Sequence, residues 1–156
     1  MTTQAKRNHL FSIAVLLTGL LIAALVAFRT PPAVAETLVV YKSPSCGCCQ
    51  KWVEHMQRAG FRVEVREQYN VTPVKERLGV PRPLRSCHTA QIGGYLIEGH
   101  VPADLVRRLL DERPDLAGLA VPGMPMGSPG MEGPRKDAYD VVSFTHEGRT
   151  AVYASR

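Results

Sequence analysis

Three of the four cysteines in this chain stand within four residues, as Cys46, Cys48 and Cys49. A disulfide joins Cα atoms roughly 4.4–6.8 Å apart with a defined torsion, and neighbouring cysteines reach that geometry only with strain. Cysteines crowded in this way more often bind a soft metal ion or carry out redox chemistry. The fold must therefore present several sulfur atoms to one place, and Gly47 allows the tight turn that this requires.

The pattern around the cysteines places them between a strand and a helix. Residues 37–41 form a β-branched and apolar run that is typical of a buried strand, and apolar residues recur at helical spacing over 48–59. Further along, the sequence predicts a strand, a short helix with Thr72 as its N-cap, a hairpin turned at Gly93 and Gly94, and a third helix. These elements cover residues 61–66, 71–78, 89–97 and 103–112.

The rest of the chain predicts a loop and a closing hairpin. Residues 114–134 are rich in Pro, Gly and Met and are predicted to form one long irregular loop, followed by a hairpin over 139–153. The order β-α-β-α-β-β-α before them predicts an α/β fold: a thioredoxin-like mixed sheet flanked by helices, with a long Pro/Gly/Met loop and a C-terminal hairpin. In that fold the redox cysteines lie between the first strand and the first helix, where this chain has its cysteine cluster.

The N-terminus has the pattern of an export signal. Lys6 and Arg7 precede an uncharged, mostly apolar run over 10–28, and the small residues of 33–35 suit a cleavage site. We therefore predict a signal peptide over residues 1–35, one metal-binding domain over 36–156, and a periplasmic location. Roughly 18 apolar residues can span a bilayer, so an uncleaved membrane anchor is the alternative, and it would leave the domain outside the membrane as well.

The net charge of the chain and its predicted export restrict the kinds of partner that it can bind. The chain has a formal net charge of +5, but Lys6, Arg7 and Arg29 precede residue 36, and acids are interspersed among the remaining basic residues. We therefore expect no nucleic-acid partner. Export points to an oxidising compartment, in which four cysteines would ordinarily suggest two disulfides. The crowded spacing argues against that reading.

Cys46 and Cys49 have C-x-x-C spacing, with Cys48 as an additional thiol between them. A helix N-terminus favours thiolate over thiol, so we expect lowered pKa values in this cluster. Soft thiolates select Cu(I), zinc or iron–sulfur centres. Zinc usually takes two well-separated pairs of ligands, so a tight trio with one distant cysteine favours a compact copper–thiolate site in which several ions can share sulfurs. A strained or nonspecific disulfide is the alternative.

Other side chains can complete the site. Cys87 and His88 stand just before the third strand, in a loop that faces the C-x-x-C motif in a thioredoxin-like fold, although a buried Cys87 could also serve only as a small hydrophobic residue. Met124 and Met126 lie in the irregular loop, where there is little core to pack into, and thioethers suit Cu(I). Of the remaining histidines of the domain, His55 is predicted to be packed or on the surface. His100 is predicted to be structural at a helix start, and His146 to be solvated in a turn.

At these residues the chain resembles the CopG-like family of exported, copper-associated thioredoxin-fold proteins, long catalogued as a domain of unknown function. The matching stretches are residues 41–49, 86–90, 94–102 and 118–132. The resemblance implies periplasmic copper handling and resistance, with a role in interconverting Cu(I) and Cu(II). Carried over by position, the resemblance implies that Cys46, Cys48, Cys49 and Cys87 are the sulfur ligands. His88 and a loop methionine are further candidates for the same site.

Three functions remain open on the sequence. The first is a copper-binding protein whose thiolate site holds Cu(I) and passes an electron. The second is a thiol–disulfide oxidoreductase that uses Cys46 and Cys49, against which the extra thiols of Cys48 and Cys87 argue. The third is a copper chaperone without catalysis. Copper-exporting membrane proteins or periplasmic redox proteins would be the partners.

Overall fold

The structure, a computed structural model, describes residues 36–156; the predicted signal peptide lies outside them. The strands are β1 Thr37–Lys42, β2 Arg62–Glu67, β3 Thr89–Ile92, β4 Tyr95–Gly99, β5 Gly118–Val121, β6 Asp140–Phe144 and β7 Thr150–Ser155. The helices are α1 Gly47–Arg58, α2 Thr72–Arg77 and α3 Ala103–Glu112, with a 3₁₀ turn at Arg82–Leu84. No helix in this part of the chain has the length and apolar content needed to cross a membrane.

All seven strands form one mixed sheet in the order β2-β1-β3-β4-β5-β6-β7. β1 pairs in parallel with β2 and antiparallel with β3, and β4 pairs in parallel with β5. The hairpin of β3 and β4 turns at Gly93 and Gly94, which both have positive φ, as a two-residue hairpin turn requires. The predicted mixed α/β sheet is therefore confirmed.

The two faces of the sheet bury different kinds of residue. On one face, Trp52 of α1 and Leu109 of α3 are fully buried with Ile97 of β4 in the main hydrophobic core. The opposite face has a smaller apolar cluster that includes Leu84 and Leu96. Side chains alternate along a strand, so Glu98 lies on the same face of the sheet as Leu96. Lys75 of α2 contacts Glu98 on that face. This second face therefore buries charged side chains as well as apolar ones.

The sequence predicted one irregular loop over residues 114–134, and the structure shows that this prediction is wrong. Gly118–Val121 forms β5, which is buried along its whole length and pairs with both β4 and β6. A strand covered on both faces has a continuous apolar run without alternation, and four residues between Pro/Gly-rich segments give little signal. The C-terminal hairpin is therefore continuous with the sheet and is not an appendage.

The N-terminus of α2 also differs from the prediction. The helix begins at Thr72, with Val71 in the N-cap position and no side-chain cap. Asn70 instead accepts a hydrogen bond from the backbone N–H of Thr72, at 3.0 Å from its Oδ1. The asparagine two residues upstream therefore takes the role that the sequence assigned to Thr72.

Candidate metal centre

The cysteine cluster forms the start of α1. β1 ends at Lys42, a turn follows, and Cys46 is the N-cap residue of the helix, in extended conformation. The N–H of Cys46 donates to the carbonyl of Ser43 at 3.1 Å, which closes the turn. Cys48 and Cys49 follow in the first helical turn, and Cys49 is fully buried. We call Cys46, Cys48 and Cys49 the sulfur half of the pocket.

The fourth cysteine reaches this cluster through the sheet. β1 and β3 are antiparallel neighbours with Tyr41 opposite Thr89, so the end of β1 lies beside the start of β3, which Cys87 precedes by two residues. The sulfur atoms of all four cysteines lie within 4.8 Å of one another. The structure thus brings together the residues that the sequence proposed as sulfur ligands; their role as ligands stays a prediction.

Cys46 and Cys49 form a disulfide, whereas Cys48 and Cys87 are free thiols. On the sequence, a disulfide is the less favoured alternative, because the cysteines are crowded along the chain. The first helical turn brings the third residue back towards the first, and the Cα atoms of this pair are 5.3 Å apart, within the ordinary range for a disulfide. Four thiolates are available to a metal only after this bond is reduced by two electrons.

Cys48 and Cys87 have different surroundings. The sulfur of Cys48 lies 3.5 Å from that of Cys46, at the rim of the disulfide. Burial, reinforced by the charge of Cys48, raises the pKa of the Cys87 thiol to about 12. The lowered pKa values expected from the helix N-terminus concern the cluster of Cys46, Cys48 and Cys49, and they do not extend to Cys87, whose pKa burial raises. Cys87 holds its proton until a cation displaces it.

Two imidazoles complete the pocket on the Cys87 side. The sulfur of Cys87 lies 3.0 Å from Nε2 of His100 and 3.3 Å from Nδ1 of His88. Nδ1 of His100 donates to the carbonyl of Pro129 at 2.7 Å, so Nε2 of His100 is the nitrogen with the lone pair, and it faces the thiol. We call Cys87, His88 and His100 the mixed half of the pocket.

Both histidines are held in the neutral form that binds metal. Burial, with the neighbouring His100 next in importance, lowers the pKa of His88 well below its ordinary value. Burial also lowers the pKa of His100. His88 is fully buried between the rings of Trp52 and His100, at centroid distances of 4.4 and 5.1 Å. Its Nε2 has no hydrogen-bond partner among the described residues.

His100 lies in the pocket with Cys87 and His88, whereas the sequence predicted only a structural role for it at the start of α3. A usable signal was present in the sequence. A two-residue turn at Gly93 and Gly94 sets Thr89 opposite Glu98, and the same register carried outward sets Cys87 opposite His100. The backbone N–H of Gly99 donates to the carbonyl of His88 at 3.0 Å, which continues the hairpin to this point.

The loop after β5 lies over the pocket. A Cβ atom added at Gly130 would lie 2.7 Å from the carbonyl oxygen of Cys48 and 3.3 Å from Nδ1 of His100. Because Gly130 also has a φ of +87°, only glycine fits this close approach without strain. The loop therefore contacts both halves of the pocket through its backbone.

The two methionines proposed as ligands belong to the same loop. Met124 is 38% exposed and has a positive φ, and the thioether of Met126 packs beside Gly133. Their role as metal ligands stays a prediction. His55 has a packing role, because its Nε2 accepts a hydrogen bond from the first N–H of α3, that of Ala103, at 3.1 Å. His146 is exposed in the β6–β7 turn.

Comparison with known proteins identifies the family of the chain. A family model described as "Protein of unknown function, DUF411" matches residues 84–131, which include the mixed half of the pocket. No curated protein matches the chain.

Two solved structures, described as copper resistance protein copG in form 2 and form 1, resemble the whole domain. Form 2 is 48% identical with a TM-score of 0.74, and the match covers 78% of this chain and 98% of that one. Form 1 is 48% identical with a TM-score of 0.72, and the match covers 77% of this chain and 96% of that one. This chain therefore belongs to the CopG-like family of copper resistance proteins.

Proposed function

We propose that this protein binds copper, as Cu(I), in the pocket between the sulfur half and the mixed half, and that it acts in periplasmic copper handling and resistance. The observation that carries the proposal is the convergence of four cysteine sulfurs from two distant segments to within 4.8 Å. The helix that starts at the cysteine cluster is the arrangement of a thioredoxin-like fold. The names of the similar solved structures support the choice of copper.

The donor atoms fit copper. Cysteine sulfur is a soft ligand that selects Cu(I), and neutral imidazole suits Cu(I) and Cu(II) alike. Nδ1 of His88 and Nε2 of His100 both face the sulfur of Cys87, so an ion bound to that sulfur can take an imidazole nitrogen from either histidine. Cys87 belongs to both groups of close donor atoms, which lets two or more ions share its sulfur.

The disulfide supports a role in changing the oxidation state of copper. When the thiols of Cys46 and Cys49 close to the disulfide, two S–H bonds break, one S–S bond forms, and two protons and two electrons leave. Two Cu(II) ions take up one electron each and become two Cu(I) ions. The thiols of Cys48 and Cys87 with the two imidazoles remain for the product. A reducing partner then restores the dithiol.

Copper titration tests the proposal. The protein, expressed as the full chain and reduced, is titrated anaerobically with Cu(I) against a chromophoric chelator, and the bound metal is identified by elemental analysis. X-ray absorption at the copper edge then reports the oxidation state and the sulfur and nitrogen donors. A variant with all four cysteines changed to serine is the control. Equal copper affinity of the two proteins would refute the proposal.

Thiol–disulfide exchange is the second candidate function, and the Cys46–Cys49 disulfide at the start of a helix favours it. The free thiols of Cys48 and Cys87 count against it, because they lie close enough to attack the same disulfide. Insulin reduction by the metal-free protein separates the two functions. Fast turnover that survives a Cys87→Ser change would favour the oxidoreductase.

A further inference from the structure

A buried ion pair lies beneath the mixed half of the pocket, on the face of the sheet opposite to the main core. Lys75 of α2 and Glu98 of β4 are 3% and 0% exposed, and Nζ of Lys75 lies 2.6 Å from Oε1 of Glu98. Nζ of Lys75 also donates to the hydroxyl of Thr89, at 2.7 Å. Three side chains from α2, β3 and β4 thus form one closed polar network.

Glu98 binds the chain on both sides of Cys87 and His88. Its Oε1 accepts the backbone N–H of Ser86, and its Oε2 accepts the hydroxyl of Thr89. Ser86 and Thr89 are the residues directly before and after the Cys87-His88 pair. One carboxylate therefore fixes both ends of the two-residue segment that supplies a sulfur and an imidazole to the pocket.

A contribution to the free energy of unfolding does not explain why Lys75 and Glu98 are buried as an ion pair. Taking a carboxylate and an ammonium out of water costs several kcal/mol per ion, and apolar replacements of similar size are often neutral or stabilising, by roughly 1–4 kcal/mol. The hairpin does not depend on the pair, because the β3–β4 ladder joins the two strands along their length. What the carboxylate adds is the hydrogen bond to Ser86, in a segment that the β3–β4 ladder does not cover.

We propose that Glu98 and Lys75 are positioning residues, which hold Cys87 and His88 in the geometry that the metal requires. The inference rests on the proposed function, since it concerns the same pocket. Lys75 neutralises the carboxylate and anchors it to α2, and the carboxylate orients the donor segment. Outer-shell hydrogen bonds of this kind typically contribute about 10- to 100-fold to metal affinity.

The main test replaces the pair by apolar residues of similar size, in the double variant Lys75→Met, Glu98→Leu. We expect it to fold with lower stability in urea, because the N–H of Ser86 and the hydroxyl of Thr89 lose their acceptor, to bind Cu(I) about 10- to 100-fold more weakly, and to show fewer sulfur and nitrogen donors by X-ray absorption. The matched control removes an exposed pair at the β6–β7 turn, Arg149 and Glu147, by Arg149→Met, Glu147→Leu. Unchanged affinity and donors in a folded Lys75/Glu98 variant would overturn the proposal.

A second pair of variants covers the case in which the double variant does not fold. Thr89→Ser retains the hydroxyl that bonds to Lys75 and Glu98, whereas Thr89→Val removes it at nearly constant volume. We expect the serine variant to keep the copper affinity of the wild type and the valine variant to lose about tenfold or more, within the range for outer-shell partners. Equal affinities for the two would overturn the proposal.

A readout without metal separates this inference from the proposed function. The imidazole nitrogens of His88 and His100 are followed by NMR in the metal-free protein. We expect the resonances of His88 to move in Thr89→Val and to stay in place in Thr89→Ser. If wild-type protein binds no copper but these shifts occur, the proposed function fails and the positioning role stands. If copper binds normally and no variant moves His88, the positioning role fails and the proposed function stands.

Discussion

The sulfur half of the pocket is local in the sequence, whereas the mixed half is assembled from a distance. Cys46, Cys48 and Cys49 need only the turn after β1 and the first turn of α1. His100 needs the β3–β4 register and the carbonyl of Pro129 in the loop after β5. The first half is therefore set by helix geometry, and the second by long-range pairing and buried hydrogen bonds. Three changes to the chain test this difference, and a fourth, at His55, tests a contact outside the pocket.

Cys87→Ser should have the largest effect, because Cys87 belongs to both groups of donor atoms. We expect its copper affinity to fall by more than the roughly 10- to 100-fold typical of an outer-shell loss. Cys48→Ser removes a donor from the sulfur group only, so its loss should be smaller. Competition with a Cu(I) chelator measures both, and circular dichroism checks the fold. Equal losses would show that Cys87 does not join the two halves.

Gly130→Ala should disturb both halves of the pocket from outside, because the loop at Gly130 lies against Cys48 and His100. The added Cβ would meet the backbone of Cys48 and Trp52 at 2.7 and 2.9 Å, at a φ of +87°. Gly123→Ala is the matched control, with a φ of +75° and open space around the new atom. We expect about 1 kcal/mol of destabilisation in urea for the control and about 2–3 kcal/mol for Gly130→Ala, since a clash adds to the strain. Equal losses would argue against close contact of the loop with the pocket.

His100→Gln should weaken copper binding by at least about tenfold, since losing a ligand costs no less than losing an outer-shell partner, and by less than Cys87→Ser because the sulfur of Cys87 remains. It should also change the nitrogen contribution to the X-ray absorption spectrum of the copper-loaded protein. His146→Gln, at an exposed turn, is the control and should change neither. A wild-type spectrum for His100→Gln would remove His100 from the set of ligands and leave the mixed half with one imidazole.

His55 should give the smallest effect, a pH dependence of stability away from the pocket. Burial lowers the pKa of His55, with Arg58 acting in the same direction and Glu132 and Asp104 against it. Neutral Nε2 accepts the N–H of Ala103, so this contribution is complete above the unfolded-state pKa of about 6.5 and is lost as pH falls through the lower folded-state pKa.

His55→Gln isolates that contribution. His88 and His100 are present in both proteins, so their effect on the pH dependence of stability cancels in the difference between wild type and variant. Wild type minus variant, measured by urea unfolding between pH 7.5 and 5 (roughly the titration range of histidine), should fall with pH by less than about 1 kcal/mol, the net value of one hydrogen bond. A difference that rises as the pH falls would contradict the assignment.

The same division explains what could be predicted from the sequence. The strand, turn and helix around Cys46 have strong local patterns, and the two-glycine turn predicts the β3–β4 hairpin. β5 was missed because a short strand buried on both faces has no alternation to detect. The pairing of Lys75 with Glu98 joins residues from separate elements, and nothing in the local sequence around either one indicates it.

From the sequence, the disulfide was predicted only as an alternative, and His100 was given a structural role. Counted along the chain, Cys46 and Cys49 are crowded neighbours, but the helical turn sets their Cα atoms 5.3 Å apart, which suits a disulfide. His100 could have been found by carrying the hairpin register two positions outward. Both errors concern the conversion of sequence spacing into distance, which depends on the element in which the residues lie.

The two-glycine turn at the far end of the β3–β4 hairpin sets the register of the two strands, and the register decides which side chains reach the pocket. It contains no donor atom, yet its length decides which residue faces Cys87. Inserting a single residue there would shift β4 against β3 and reverse the direction of its side chains, so His100 would point away from the sulfur atoms and Glu98 would exchange faces. The set of donor atoms that meet in this pocket thus depends also on the length of a turn that contributes none of them.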